Sequence, residues 1–195
     1  HNGDIDKLKN IIGDRVDIRL NFCSSMVCDE YKDNHPQDVA FQFAWDNVEK
    51  RFGSEDSVKK FLENISVIAK ELNSRGKRIH VVSHTNRDVM QNEIIGQKLT
   101  NEGVVCDHID MTEYSDLEIK EFYYKTGTVF AMRGHSQMIP LGLGCKVVSL
   151  ISHDKIRFLI DDLGIPNTGV EINNDDFATK CLLAYDAAQI VDFHA

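Results

Sequence analysis

The feature that most constrains the fold is a regular alternation of short apolar runs with amphipathic stretches after residue 54. Four of the apolar runs have the length and the branched residues of strands: 78–83, 104–109, 128–132 and 146–151. Between them apolar residues recur at helical spacing, as they do over 58–72. Alternation of this kind with short connections favours a mostly parallel sheet covered by helices on both faces. The sequence therefore predicts an α/β, Rossmann-like fold.

The first 53 residues are less regular. An alternating, branched run at 16–22 predicts a further strand. Residues 35–48 are interpreted as a turn and a short helix, which would carry Phe41, Phe43, Ala44, Trp45 and Val48. We expect this helix to be a lid or to pack on another domain, the alternative being packing on the domain's own core. Residues 1–15 are expected to be a tag remnant or linker before a domain spanning 16–195.

Composition excludes several classes of protein. The chain of 195 residues carries a formal charge of −9, whereas nucleic-acid binding requires a basic surface. No apolar run approaches the roughly 20 residues of a membrane span. The five cysteines form no CxxC pair, so reduced, buried thiols are expected rather than disulfides or a zinc site. The acidic run 171–176 is interpreted as a helix start, and no metal site is predicted.

Arg133 and His135 carry the strongest functional signal. They follow the apolar run 128–132 and precede an apolar segment rich in small residues, so they lie where a buried strand turns into a helix. Helix N-termini favour anions, and arginine adds a forked donor suited to phosphate or carboxylate. The pattern predicts an anion site at the carboxyl edge of the sheet. The alternative is a surface ion pair of Arg133 and a capping role for His135.

Two other polar turns follow strands in the same way. His84 comes after the run 78–83, and Lys155 lies in the turn after 146–151, so both are candidate binding residues at the same edge. The alternatives are a polar turn in which Asp88 caps a helix and a solvated lysine. The sequence contains no GxGxxG, GxxxxGK[ST] or HExxH motif, which removes the usual support for nicotinamide, P-loop and zincin chemistry.

The gapless run RGHSQMIPLGLGCKVVSLISHDKIRFLIDDLGI, residues 133–165, resembles the polysaccharide pyruvyl transferase family. The shared pattern is Arg-x-His, an apolar helix, Gly, a Val-rich strand, a polar turn with Lys and a Phe…Leu-Gly helix. The resemblance implies a glycosyltransferase-B-like architecture in which this chain is similar to the C-terminal half. An N-terminal acceptor domain would then be missing from the sequence, and the fragment alone would be inactive.

The family resemblance implies transfer of a pyruvyl group from phosphoenolpyruvate to two hydroxyls of a cell-surface polysaccharide or its precursor, forming a ketal. Arg133 would bind the donor phosphate or carboxylate, and His135 would bind phosphate or act as general acid. Lys155 matches the family's lysine in position. Phosphoenolpyruvate is a substrate, and no separate cofactor is expected. The implied location is the cytoplasm, including the inner face of the membrane.

The chain departs from the family pattern at several positions. The family's arginine at the end of the first strand of this domain corresponds to Asn21, and Arg19 two residues earlier is therefore a further candidate for donor binding. Gly134 replaces a bulky apolar residue between Arg133 and His135, and Lys146 stands where proline is common.

Two other functions remain open from the sequence. One is a nucleotide-sugar-dependent glycosyltransferase of the same architecture. The other is a non-catalytic binding domain whose partner contacts the apolar segment 41–48. The acceptor sugar, its linkage and the oligomeric state are left open.

Overall fold

The computed structural model describes residues 9–11, 38–45 and 51–191. Its strands are β1 (Asp38–Gln42), β2 (Ile79–Ser83), β3 (Cys106–Asp110), β4 (Thr126–Ala131), β5 (Lys146–Ile151) and β6 (Gly169–Glu171). Its α-helices of eight residues or more are α1 (Glu55–Ser74), α2 (Asn86–Asn101), α3 (Asp116–Tyr124), α4 (His135–Gly142), α5 (Asp154–Asp162) and α6 (Phe177–Ile190). A short 3-10 helix at Pro166–Thr168 precedes β6.

All six strands form one parallel sheet in the order β3-β2-β1-β4-β5-β6. β1 lies at the centre, where Phe41 pairs in register with Val81 of β2 and with Phe130 of β4. The chain builds outwards from β1 to β3 and then returns to continue on the other side with β4. This is the Rossmann strand order, and its reversal between β1 and β4 opens a crevice at their carboxyl ends. The predicted fold class is confirmed.

Helices α1, α2 and α6 cover one face of the sheet. Phe41 and Phe130 meet edge to face on this side with ring centroids 5.0 Å apart, and Tyr185 of α6 stacks on Phe130 at 6.1 Å. Helix α1 forms where the sequence predicts it, because the Ser54 side chain accepts a hydrogen bond from the backbone of Ser57 and acidic residues follow in the first turn. These aromatic contacts pack α6 against the central strands β1 and β4.

Helices α3 and α4 cover the opposite face, and α5 packs beside them on β5 and β6. The side chain of Tyr123 in α3 is fully buried in this layer against Val82 and Val129. Helix α3 begins at a capping box, in which the side chains of Ser115 and Glu118 accept hydrogen bonds from each other's backbone N–H groups. These helices place the first turn of α4 at the carboxyl edge of the sheet.

The predicted short helix carrying Phe41 is wrong over the described residues. Residues 38–42 form the central strand, and Phe41, Phe43, Ala44 and Trp45 are buried in the domain's own core. A strand covered on both faces has no alternation of polar and apolar residues, so its pattern does not separate it from a helix. Neither the lid nor an exposed patch at Phe41–Trp45 exists, and the alternative of packing on the domain's own core is confirmed.

Other boundaries shift by a few residues. The strand predicted at 104–109 is Cys106–Asp110, and the last helix begins at Phe177 rather than at 174. The predicted strand at 16–22, Val48 and Arg19 lie outside the described residues. Gly144 adopts φ 80° just after the C-cap of α4, a conformation that suits glycine at the end of a helix. Within the described ranges, no helix is long and apolar enough to cross a membrane.

Candidate functional site

A cavity of about 420 Å³ opens at the carboxyl edge of the sheet, beside the reversal of strand order. Its wall comes from His84 and Thr85 after β2, residues 132–136 at the turn from β4 into α4, His153 after β5, and Arg51. The structure therefore brings together three of the predicted site residues, His84, Arg133 and His135. Sequence order alone indicated the shared edge, because the carboxyl ends of parallel strands lie on the same side.

Gln42 closes the crevice between β1 and β4. Its buried side-chain oxygen accepts hydrogen bonds from the backbone N–H groups of Met132 at 3.3 Å and Arg133 at 2.9 Å. Its amide nitrogen donates to the carbonyl of Phe43 at 2.7 Å. The central strand thus ends at Gln42, and the glutamine sets the direction in which the chain leaves β4 for α4.

Arg133 forms an ion pair within the protein. Its Nε donates to Oδ2 of Asp88 at 2.7 Å, and one terminal nitrogen donates to Oδ1 at 2.8 Å. The Asp88 side chain is fully buried, while 21% of the Arg133 side chain is exposed. The positive charge predicted for an anionic ligand is therefore compensated by a carboxylate that has no access to water.

Asp88 is the centre of the network behind the cavity. Besides Arg133, its carboxylate accepts a hydrogen bond from the backbone N–H of Trp45 at 2.9 Å and one from the Thr85 hydroxyl at 3.0 Å. The residue thereby joins the segments that follow β1, β2 and β4. The suggestion that Asp88 is a helix N-cap is wrong, because α2 begins at Asn86 with Thr85 in the capping position.

The first turn of α4 is the best anion-binding element in the cavity wall. Gly134 occupies the capping position without a side-chain cap, and the N–H groups of His135 and Ser136 have no acceptor in the described part of the chain. The Ser136 hydroxyl is fully buried in the same wall and, among buried side-chain oxygen and nitrogen atoms of the described residues, it alone has no hydrogen-bond partner. Unpaired buried hydroxyls are costly and rare.

His84 lines the same cavity, and its side chain is partly buried there. Its Nε2 is 2.6 Å from the hydroxyl of Tyr123. Burial lowers the pKa of His84 from 6.5 to about 4; the charge of Asp88 works against this shift, and those of Arg133 and His135 add to it. His84 is therefore neutral at physiological pH and supplies hydrogen bonding rather than charge.

The remaining predicted residues lie elsewhere. Lys155 is exposed on the first turn of α5 and does not line the cavity, so the structure does not place it with His84 and His135. Arg19 is outside the described residues. The cavity instead contains a cation that sequence reasoning missed, Arg51, which donates to the Ser152 hydroxyl at 2.6 Å. The sequence around Arg51 carries no motif that could have revealed it.

Together, the fold and the site define a Rossmann-like α/β domain with a cavity at the carboxyl edge of its sheet. No protein-family model matches the chain, and no curated protein matches its sequence. In the described ranges, no group of His, Cys, Asp and Glu side chains could hold a metal ion.

Proposed function

We propose that this chain is the donor-binding domain of a pyruvyl transferase-like enzyme and that it binds phosphoenolpyruvate in the cavity beside α4. The observation that carries the proposal is the first turn of α4, where two free N–H groups and the unpaired, buried Ser136 hydroxyl share one wall. A phosphate group would satisfy all three donors and would lie at the positive end of the helix dipole. The resemblance of residues 133–165 to the family supplies the identity of the donor.

The reaction needs groups that hold an anion and move a proton. C3 of phosphoenolpyruvate takes a proton, and C2 becomes an oxocarbenium-like centre. One acceptor hydroxyl bonds to C2, the bond from C2 to the phosphate oxygen breaks, and a second hydroxyl closes the ketal. The two hydroxyl protons are balanced by the one gained at C3 and the one taken by the departing phosphate. Stabilising the phosphate as it leaves is therefore the main electrostatic task of the donor site.

His135 is the residue best placed to take part in this chemistry. It is the exposed first residue of α4 and lines the cavity next to Ser136, so its ring is accessible to a bound donor. We assign His135 to phosphate binding or to protonation of the donor, which imidazole can perform near neutral pH. Arg133 has a different role, since its ion pair with Asp88 orients the turn that presents His135 and Ser136.

The other parts of the enzyme belong to the same proposal. A glycan acceptor would approach from an N-terminal domain facing the carboxyl edge of the sheet, and the reaction would take place in the cytoplasm or at the inner face of the membrane. A nucleotide-sugar donor is the second candidate, because the reversal of strand order beside this cavity is where Rossmann domains bind nucleotides.

A thermal-shift titration tests the donor. At a ligand concentration of about 100 times Kd, binding to the folded state adds about 2.7 kcal/mol, which for a domain of this size raises Tm by about 5–10 °C. We expect this rise with phosphoenolpyruvate and a smaller one with inorganic phosphate, and both rises should be clearly smaller in Ser136→Ala. Ser54→Ala, which removes a helix cap outside the cavity, is the matched control and should keep the shift.

A rise with uridine diphosphate alone would replace the proposal by the nucleotide-sugar glycosyltransferase. An equal rise in wild type and Ser136→Ala would remove α4 from the donor site.

A further inference from the structure

The contact between Tyr123 and His84 specifies which nitrogen of His84 carries its proton. The Tyr123 hydroxyl is fully buried and lies 2.6 Å from His84 Nε2, and no other acceptor for its proton exists among the described residues. A buried hydroxyl that donated to nothing would lose a hydrogen bond. The hydroxyl therefore donates to Nε2, which must be the unprotonated nitrogen, and in the neutral ring the proton lies on Nδ1.

His84 Nδ1 has no hydrogen-bond partner in the described part of the chain, although the residue lines the cavity. We propose that His84, held in its Nδ1–H form by Tyr123, donates a hydrogen bond to the carboxylate end of the bound donor. This inference rests on the proposed function, since it assigns the end of phosphoenolpyruvate that α4 does not bind. His84 is the binding residue, and Tyr123 is a positioning residue that acts through it.

The position of His84 in the fold is consistent with binding of the carboxylate by His84 and of the phosphate by α4. His84 follows β2, while the phosphate-binding turn follows β4, and β1 separates these two strands in the sheet. His84 and the first turn of α4 line the same cavity, and we infer that one ligand with two anionic groups contacts both. Inorganic phosphate has only one such group and cannot fill the two positions together. His84 thus selects for a donor that carries an acceptor opposite the phosphate.

Because His84 is a neutral hydrogen-bond donor, its contribution to ligand binding should not change with pH in the neutral range. Because burial holds the pKa of His84 near 4, the Nδ1–H donor persists throughout the neutral range. Three groups that can carry charge act on the ring: Asp88 from α2 raises the pKa of His84, whereas Arg133 from the turn before α4 and His135 from the first turn of α4 lower it. The contribution of His84 to binding is therefore expected to be constant between about pH 6 and pH 8.

Nitrogen-15 NMR of the histidine side chains reads the tautomer directly. In the ligand-free protein we expect His84 in the neutral Nδ1–H form, and in Tyr123→Phe a shift towards a mixture with the Nε2–H form. Titration of both ligands into His84→Ala supplies the second readout. Loss of one hydrogen bond to a carboxylate should weaken phosphoenolpyruvate binding about tenfold to a hundredfold, whereas the affinity for inorganic phosphate should stay within about twofold.

The Ser136→Ala variant separates this inference from the proposed function. If Ser136→Ala weakens both ligands while His84→Ala weakens neither, the phosphate site stands and the role of His84 is overturned. If neither ligand binds the wild-type protein, the proposed function fails and the donor role of His84 fails with it. An Nε2–H or a protonated His84 at pH 7 in the ligand-free spectrum overturns the tautomer assignment whatever the ligands do.

Discussion

The guanidinium of Arg133 and the carboxylate of Asp88, 45 positions apart in the sequence, form a two-point ion pair with distances of 2.7 and 2.8 Å. The Arg-x-His pattern predicts that Arg133 binds an anionic ligand, but the arginine already has a buried anionic partner in Asp88. What remains for a ligand is the start of α4, with His135 and Ser136. Arg133 holds that turn in place, and this assignment leads to the first prediction.

Replacing Arg133 by alanine should destabilise the fold rather than remove a ligand contact alone. The substitution leaves the fully buried Asp88 without its charged partner, which typically costs about 3–5 kcal/mol. The control is Arg157→Ala, which breaks an exposed ion pair with Glu171 and should cost less than about 1 kcal/mol. Urea unfolding of both variants measures the difference. Equal stabilities for the two variants would show that the buried pair has no special role.

Ser136→Ala should not destabilise the ligand-free protein. The hydroxyl is buried without a partner, so its removal relieves an unsatisfied group and should change the free energy of unfolding by about 0 to +1 kcal/mol. Ser149→Ala is the matched case, because that hydroxyl is equally buried and donates to the Gln137 side chain at 2.7 Å. It should lose about 1 kcal/mol or more. A loss in Ser136→Ala as large as that in Ser149→Ala would mean that Ser136 has a partner in solution.

Acid should weaken the fold through His84. The ring takes a proton near pH 6.5 in the unfolded chain but only near pH 4 in the folded protein. Between these values the unfolded state binds more protons, so the free energy of unfolding falls as the pH falls, by at most about 1.4 kcal/mol per pH unit for this one group. Above pH 6.5 the effect vanishes.

Chemical denaturation between pH 4 and pH 8 measures this dependence. Between pH 6.5 and pH 4, the free energy of unfolding should depend less steeply on pH in His84→Gln than in the wild type, by up to the equivalent of one bound proton. Above pH 7 the two curves of the free energy of unfolding against pH should run parallel. Identical slopes throughout would assign the acid sensitivity to other groups and would contradict a neutral, buried His84.

Gly134, which departs from the family pattern, should tolerate alanine. Its φ of −56° is ordinary for any residue, and an added Cβ would meet only Cε of Met138 at 3.4 Å. Gly169→Ala is the contrasting variant, because there the Cβ would meet Ile160 Cδ1 at 2.2 Å and Ile151 Cδ1 at 2.9 Å.

Thermal unfolding should therefore leave Gly134→Ala within about 0.5 kcal/mol of the wild type. Gly169→Ala should lose about 1–3 kcal/mol through overpacking. A large loss in Gly134→Ala would show that the turn before α4 needs glycine for a reason other than local space.

Much of the architecture follows from local pattern. The strands β2, β4 and β5 and the starts of α1 and α3 are set by short apolar runs and by the caps Ser54 and Ser115, all of which are local in sequence. The central strand β1 was missed because a strand buried on both faces loses the alternation that identifies strands. Its assignment depends on the neighbours β2 and β4, which only the assembled sheet supplies.

The site was only partly predictable for a similar reason. The turns carrying His84, Arg133 and His135 could be placed at one edge, because all follow parallel strands. The Asp88 pair, the Tyr123 contact and the unpaired Ser136 could not, because each depends on which side chains meet across the folded sheet. Lys155 lies in the first turn of α5, where it is exposed and does not line the cavity, because the placement of α5 relative to the cavity depends on tertiary packing.

We propose that the first turn of α4 binds the phosphate of the donor, and amide NMR tests this binding most directly. We predict that addition of phosphoenolpyruvate shifts the backbone N–H signals of His135 and Ser136, that both saturate with one Kd, and that inorganic phosphate shifts the same two signals. Saturable binding of phosphoenolpyruvate that leaves these two signals unmoved, or no binding at all, would contradict the account.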